Sequence, residues 1–253
     1  MLLSGGPLGG LLPSVVAQLW TPFDEPSLVG YLDAFDSTYI AESGGLADSW
    51  NDPVSGASFV AVDPNNKPVR GAGFVGFTGF TEMVGATRFG LPADPALTIV
   101  SVLTPRTLLP DRRLISIGLA SDIATPGSIA LTTTPDQMSW RHDNGFALFA
   151  NGGSSVKTLY TGHRSPGAYS TGQGRKNGIA LAQDNATGGP PTVTTASTVL
   201  GRSTFEGDVS GILVFSSNTP AVIEKAEGWA ARRWGTLATL DASHPYKNSP
   251  PPL

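Results

Sequence analysis

Cysteine is absent from the 253 residues of this chain, which excludes disulfides, thiolate catalysis and cysteine-based zinc sites. Charge is also scarce, because Asp, Glu, Lys and Arg make up 14% of the chain and the net charge is −4 with no run of Lys or Arg. Nucleic-acid binders carry a basic patch, so the composition predicts no nucleic acid partner. No stretch approaches the roughly 20 apolar residues that cross a bilayer, so we expect no membrane partner.

The apolar residues come in short runs separated by 31 glycines and 21 prolines, a pattern typical of strands joined by turns. Ile115, Ile117 and Leu119 alternate with small residues and therefore share one face of a strand. The Asn144-Gly145 pair predicts a tight hairpin turn between two strands. We predict strands at residues 97–104, 114–121, 139–142, 146–149, 156–160, 178–183, 192–200 and 209–216.

A single segment, at about residues 219–234, has helical periodicity. Asn218 and Thr219 offer a cap, Pro220 suits the first turn and Gly235 suits the position just past the end. Gly228 in its middle costs about 1 kcal/mol against alanine, which predicts close packing there. The apolar positions are Val222, Ile223, Ala226, Trp229, Ala230 and Trp234.

Many strands with one late helix predict an all-β fold, a two-sheet antiparallel sandwich with one C-terminal α-helix and extended termini. We divide the chain into an N-terminal arm at 1–18, a sandwich at 19–240 that includes the helix, and a Pro-rich tail at 241–253. Segments with this Gly and Pro content do not bury themselves locally, so we expect each terminus to be either disordered or docked on a neighbouring subunit.

Three stretches resemble laminin-G/concanavalin-A-like domains in virion proteins of tailed bacteriophages. The first is LDAFDSTYI at 32–40 followed by ADSWND at 47–52, and the second is KPV at 67–69 with FVGFTG at 74–79. The third and most specific runs from LGR at 200–202 through FEGDV at 205–209, EKAEGWA at 224–230 and RWG at 233–235 to HPYKN at 244–248. The order and spacing of these stretches match the pattern of those domains along nearly the whole chain after the arm.

The resemblance implies a concanavalin-A-like jelly-roll sandwich in a virion, as a head-surface, tail-fibre or baseplate component. It also implies other virion proteins as partners, a homo-oligomer with a trimer favoured, and attachment to host glycans. Two positions depart from the family pattern: Thr78 stands where an aspartate is usual, and Gly211 stands where a glutamate often follows. Any role of those acids elsewhere is in doubt here.

Catalytic signatures are weak in this sequence. Glu206 and Asp208 lie two apart, as a carboxylate pair on one strand face would, but the glucanase-like Glu-x-Asp-x-x-Glu pattern is missing. His142, His163 and His244 are scattered and have no nucleophile motif beside them. We therefore expect a protein that is not an enzyme and needs no cofactor.

Two kinds of binding site remain open. Sugar sites use exposed aromatic rings beside polar groups, and the candidates are Tyr160, His163, Tyr169 and Trp20, whereas Trp50, Trp229 and Trp234 fit the core. A calcium site would draw on Asp48, Asn51 and Asp52, or on Asp184 and Asn185, although such residues also simply favour turns. The alternative to a virion component is thus a carbohydrate-binding module of a bacterial surface or secreted protein.

Overall fold

The computed structural model describes residues 18–106, 112–118, 129–133, 137–142, 145–150, 153–191, 193, 195–202 and 205–253. The strands are β1 Leu28–Asp33, β2 Ile40–Ser43, β3 Leu46–Asn51, β4 Ser58–Ala61, β5 Val69–Gly71, β6 Phe74–Thr78, β7 Met83–Gly85, β8 Leu97–Pro105, β9 Arg112–Ile117, β10 Ile129–Thr133, β11 Gln137–His142, β12 Gly145–Ala150, β13 Thr158–Arg164, β14 Gly172–Lys176, β15 Ile179–Ala180, β16 Gln183–Thr187, β17 Thr198–Arg202 and β18 Glu206–Phe215. The α-helix α1 spans Pro220–Arg233, and short 3-10 turns lie at Pro22–Asp24, Ser37–Tyr39, Tyr169–Thr171 and Leu237–Thr239.

The strands form two antiparallel sheets that face each other. The smaller sheet runs β15-β14-β13-β8-β18, and the far side of β18 pairs with β6 along residues 206–209 and with β1 along 211–215. The larger sheet runs β16-β12-β11-β10-β9-β17-β7-β4-β3-β2. Strand β5 pairs with β6 and meets β3 at Leu46 and Val69, so it joins the sheets at one edge. The predicted two-sheet sandwich is confirmed.

The central strands bury both of their faces. Along β8, Ile99 and Leu103 point into the core between the sheets, whereas Val100 and Val102 point outward beneath α1. Because successive side chains of a strand alternate in direction, burial on both sides produces the continuous apolar run seen in the sequence. The inter-sheet core contains Trp50, Trp140, Phe59, Phe77 and Phe149 among its largest members.

Helix α1 begins and ends where its sequence predicts. Thr219 is its N-terminal cap, Pro220 is its first residue, and Gly235 follows its C-terminal cap with a φ of +77°. A Cβ atom on Gly228 would lie 2.5 Å from the Cβ of Tyr246, so the predicted close packing at this glycine is confirmed. Within the described residues no helix has the length and hydropathy to cross a membrane.

The C-terminal tail packs against its own domain. The backbone N–H of Trp20 donates to the carbonyl of Pro251 at 3.0 Å, and Leu19 pairs with Pro252. His244 is buried beside the carboxylate of Glu227, at 3.2 Å. These contacts tie the last residues to the start of the sandwich, while docking of the tail on a neighbouring subunit stays a prediction.

The ammonium of Lys247 fixes the tail at a second point. It donates to the carbonyls of Leu237, Ala238 and Leu240 at 2.7, 2.9 and 2.7 Å. These carbonyls lie in and just after a short 3-10 turn. Leu237 also accepts from the backbone N–H of Leu240 at 3.3 Å, and the cation adds hydrogen bonds where the turn ends.

Several predicted boundaries shift in the structure. The segment 156–160 was expected to be a short strand before a loop, but β13 continues to Arg164 because β8 and β14 pair with it on both sides. Strand β17 starts at Thr198 rather than at 192, and 178–183 spans β15 and the start of β16. In the β11–β12 hairpin Gly145 pairs with His142, so Gly145 belongs to the strand and the two linking residues, 143 and 144, lie outside the described part.

Candidate functional site

The outer surface of the smaller sheet has a covered half and an open half. Helix α1 lies over the covered half, where it packs on β8 and β13. Beyond the helix the outward side chains of β6, β8 and β18 meet solvent. We call this surface the open face; it consists of Phe74, Gly76, Thr78, Thr104, Arg106, Glu206 and Asp208, with Phe35 at the helix end and Phe80 at the far end.

Strand alternation explains which residues reach the open face. Val75 and Phe77 of β6 point into the inter-sheet core, so Phe74, Gly76 and Thr78 point outward. In β18 a bulge between Val209 and Gly211 changes the register. Such a bulge adds one residue to a strand. Asp208 before the bulge and Gly211 after it therefore face the same outer surface.

An ion pair lies at the centre of the open face. The guanidinium of Arg106 bonds the carboxylate of Asp208, and the two side chains are 42% and 22% exposed. A Cβ on Gly76 would lie 2.9 Å from Oδ1 of Asp208 and 3.3 Å from Nη2 of Arg106, so the missing side chain lets both charged groups lie against the strand. Burial raises the pKa of Asp208, and the guanidinium opposes that rise.

Two aromatic rings lie flat against glycines of the β5–β6 hairpin. A Cβ on Gly71 would lie 2.1 Å from the ring of Phe74, and a Cβ on Gly73 would lie 2.6 Å from the ring of Phe35. Gly73 also has a φ of +76°, which a residue with a side chain adopts only with strain. Phe35 is 46% exposed, so the hairpin supports a ring that is open to solvent.

Phe80 is the most exposed large apolar side chain of the described residues, at 78%. It lies in the β6–β7 turn, where its carbonyl accepts a hydrogen bond of 3.2 Å from the side-chain amide of Asn66. A Cβ on the preceding Gly79 would lie 2.7 Å from a carboxylate oxygen of Glu206. An aromatic ring, an amide and a carboxylate are thus close together at the far end of the open face.

A network around Asp33 holds the helix end of the open face. This fully buried carboxylate accepts from the hydroxyl of Tyr31 at 3.0 Å, from Nε1 of Trp234 at 2.9 Å and from Nε of Arg233 at 2.8 Å. Burial is the largest cause that raises the pKa of Tyr31, and Asp33 adds to it, so the phenol stays protonated and donates. The network fixes β1 and the end of α1 next to Phe35.

A shallow cleft elsewhere is a weaker candidate. It has a volume of about 310 Å³ and is lined by Leu28, Val29, Val54, Ser55, Thr87, Phe89 and Gly90. Its ring, Phe89, is only 3% exposed. Its hydroxyls are engaged, since Ser55 donates to Asp52 and Thr87 accepts from the backbone N–H of Phe89. The open face offers exposed rings and charged groups that this cleft lacks.

Solved structures with a similar fold include proteins that act on carbohydrates. A GH54 α-L-arabinofuranosidase, soaked with a cyclic sulfate inhibitor, aligns with a TM-score of 0.50 and 11% identity over 75% of this chain and 51% of its own. Domain 4 of AbnA, a GH43 extracellular arabinanase from Geobacillus stearothermophilus in complex with arabinotriose, gives 0.47 and 15% over 78% and 96%. The binding domain of botulinum neurotoxin serotype G gives 0.49 and 9% over 83% and 51%.

These likenesses concern the fold alone, because all the identities are below 25%. The chain spans about half the length of the arabinofuranosidase and neurotoxin chains. No protein-family model and no curated protein sequence matches the chain.

The structure buries two of the four predicted glycan residues, Tyr160 and Trp20. Tyr160 is fully buried in the inter-sheet core, because it lies on β13 and not in a loop. Trp20 is 3% exposed, since its backbone pairs with the tail and its ring packs in the layer under α1. His163 lies on β13 and is half-buried; burial and then Arg175 lower its pKa. Tyr169 begins a 3-10 turn, and its side chain lies outside the described part.

The predicted calcium ligands are engaged or apart. Asp48 accepts from Lys67 at 2.5 Å and from Ser43 at 3.1 Å. Asp52 is buried and accepts from the backbone N–H groups of Tyr31 and Val54 and from the hydroxyl of Ser55, so it organises a turn.

The remaining calcium candidates do not complete a site. Asn51 ends β3, near one end of the larger sheet. Asp184 and Asn185 are exposed on β16, the strand at the opposite end of that sheet. Among the described residues no three acidic or histidine side chains are grouped closely enough to hold a metal ion.

Sequence reasoning missed four residues of the open face: Phe35, Phe74, Phe80 and Arg106. One signal was available, because the run from Gly71 to Phe80 contains four glycines within what reads as a strand hairpin. Glycine inside a strand marks close approach by another group. At Gly211 the departure from the family pattern has a physical reason: a Cβ there would lie 2.0 Å from the ring of Trp234.

Proposed function

We propose that this chain is a carbohydrate-binding β-sandwich that is not an enzyme and that holds glycan on the open face. The observation that carries the proposal is the exposed Phe35 and Phe80 rings at the two ends of one strand surface, with the Arg106–Asp208 ion pair held against a glycine between them. An aromatic ring takes the apolar face of a sugar, and charged or amide groups take its hydroxyls.

The central residues supply the polar half of such a site. The carboxylate of Asp208 is held by Arg106 and is therefore oriented before a ligand arrives. A group held in place in this way loses little conformational entropy when it accepts a hydrogen bond from a sugar hydroxyl. Gly76 lets the carboxylate and the guanidinium lie against β6, which a side chain at that position would prevent.

The same geometry argues against glycoside hydrolysis. That reaction needs two carboxyl groups on opposite sides of the scissile bond, about 5–10 Å apart. Glu206 and Asp208 share one strand face, as a catalytic pair could, but the carboxylate of Asp208 is engaged in the ion pair with Arg106. Release of reducing sugar that is lost in both Glu206→Gln and Asp208→Asn would replace the binding proposal with a glycosidase.

The test is a glycan array with the purified chain, followed by titration of the strongest glycan against two variants. We expect Phe74→Ala and Phe80→Ala each to weaken binding about tenfold, equivalent to about 1.4 kcal/mol. Val60→Ala is the matched control, because Val60 is 52% exposed but lies on β4 of the larger sheet. Equal affinity of all three variants, or an array without binding, would remove the open face as the site.

The resemblance to phage virion proteins stays a prediction about where this sandwich is displayed. A glycan site on the open face would suit attachment to a host surface, and the fold of the arabinofuranosidase shows only that carbohydrate enzymes use such sandwiches. Mass spectrometry of purified virions tests the display directly. Absence of the chain from the particles would overturn the virion prediction but would not affect the proposal that the chain binds glycans.

A further inference from the structure

We infer that the helix end of the open face takes an acidic sugar, whose ring stacks on Phe35 while its carboxylate binds between Lys157 and Arg233. This inference deepens the proposed function and rests on it, since it names the class of glycan that the same surface takes.

The ammonium of Lys157 is a half-buried cation with no counter-ion among the residues that the structure describes. It lies 5.2 Å from the centroid of the Phe35 ring, and within the described residues it makes no hydrogen bond and no ion pair. Burial is the cause that lowers its pKa. An ammonium group has three donors, and burying a charge is costly unless it is paired. A ligand carboxylate would supply the missing partner.

Arg233 brings a second cation to the same ring. Its guanidinium carbon lies 6.0 Å from the Phe35 centroid, and its side chain is 39% exposed. Nε and Nη2 both bond Oδ2 of Asp33, which fixes the plane of the guanidinium. Nη1 has no bond to the described residues and keeps its donors for a ligand.

The acids near this end are already satisfied by the protein. Asp33 is buried and shared between Arg233 and Trp234. Asp36 is exposed and accepts from the backbone N–H and the hydroxyl of Thr38, at 3.0 and 2.7 Å, and these bonds lower its pKa. Asp36 remains charged and would slightly weaken the binding of an anion nearby. The ammonium of Lys157, in contrast, has no acid at bonding distance among the described residues.

A purely structural role explains the position of Lys157 but not its free donors. A Cβ on Gly235, just past the end of α1, would lie 3.9 Å from Nζ. The end of a helix carries partial negative charge and attracts a cation. That attraction leaves the hydrogen-bonding capacity of the ammonium unused, because Nζ bonds none of the described carbonyls there.

The experiment uses an array on which each uronic- or sialic-acid glycan is printed beside its carboxyl-reduced alcohol. We expect binding to the acidic member of each recognised pair and about tenfold weaker binding to its alcohol, as for loss of a charge-assisted hydrogen bond. The tightest acidic glycan is then titrated against Lys157→Met, Lys157→Arg and Asp36→Asn. We expect about tenfold loss, partial retention and tighter binding, respectively.

Lys225→Met is the matched control, because Lys225 also lies over an aromatic ring, 5.9 Å from the centroid of Trp20, but on α1. Equal binding to acid and alcohol, with Phe74→Ala still weakening it, would overturn the acidic subsite and leave the proposed function intact. Equal losses of affinity in Lys157→Met and Lys225→Met would show that only the net charge of the protein matters, and this result would also overturn the acidic subsite. An array without any binding would overturn both proposals.

Discussion

The covered and open halves of the outer face are built on the same two strands, β8 and β18, yet their outward side chains differ in kind. Under α1 they are Val100, Val102, Leu213 and Phe215, all buried. A few residues along the same strands they are Thr104, Arg106, Asp208 and Glu206, which are partly exposed. Strand geometry is common to both halves, so what covers the sheet decides which side chains stabilise it.

Glycine has a different use in each half. Gly211 makes room for the buried ring of Trp234, whose position is fixed by its bond to Asp33. Gly76 makes room for Arg106 and Asp208, whose ion pair lies at the surface. A fully buried ring fills the first space, whereas charged side chains that are partly exposed to solvent fill the second. The contrast predicts that equal substitutions have unequal effects on stability.

The largest expected effect is the difference in stability loss between an aromatic residue of the covered half and one of the open half. Trp234→Ala should lower the free energy of unfolding by about 4 kcal/mol, because it leaves a cavity at a fully buried position and removes a hydrogen bond that Asp33 accepts. Phe74→Ala should cost about 1 kcal/mol or less, because the ring is partly exposed. Urea unfolding of both variants checks this. Losses of similar size would show that the open face is part of the structural core.

The two glycines give the next effect. Gly211→Ala should cost about 2–3 kcal/mol, because the added methyl meets the fixed ring of Trp234. Gly76→Ala should cost less than about 1 kcal/mol, since the ion pair of Arg106 and Asp208 is partly exposed and can shift toward solvent as a unit. Thermal unfolding measures both. A larger loss of stability in Gly76→Ala than in Gly211→Ala would show that the open face is packed at least as tightly as the covered half.

The covered half should also govern acid sensitivity. Burial by itself raises the pKa of Glu227, but bonds from His244 and Arg175 outweigh it and hold the pKa below its usual 4.5. A carboxyl with a lowered folded pKa adds stability above its unfolded pKa, and that stability is lost as the pH falls through the folded value.

Stability should therefore decline as the pH falls below about 4.5, with a shallower decline in Glu227→Gln. The variant should also be less stable at neutral pH, because it leaves the partly buried Arg175 without its partner. Unfolding curves at stepped pH compare the slopes. Parallel slopes in the two proteins would assign the acid sensitivity to other carboxyls.

The smallest effect concerns the ion pair of the open face. Asp208→Asn should change the free energy of unfolding by less than about 1 kcal/mol, because Arg106 is 42% exposed and solvent screens the pair. The same variant should weaken glycan binding if Asp208 accepts from a sugar hydroxyl. Chemical unfolding and titration of one glycan measure the two quantities, and a large stability loss without a binding change would assign Asp208 to structure.

The fold was more predictable than the site. The apolar runs at β8 and β18, and the helix with its cap, proline and terminal glycine, follow from local periodicity and agree with the structure. Strand β13 was cut short because Gly162 and His163 carry no strand signal, and only pairing on both sides extends it. Tyr160 was placed in a loop for the same reason, and its burial follows from strand partners that the sequence does not reveal.

The sequence by itself determined the class of architecture, the end points of α1 and the burial of Trp50 and Trp234, because each depends on periodicity within one segment. Tertiary structure alone decided which half of the smaller sheet stays open and which rings reach solvent. Phe35 and Phe80 look like core residues along the chain. Their exposure depends on where α1 ends over the sheet, and no local pattern records a contact between segments that are distant in sequence.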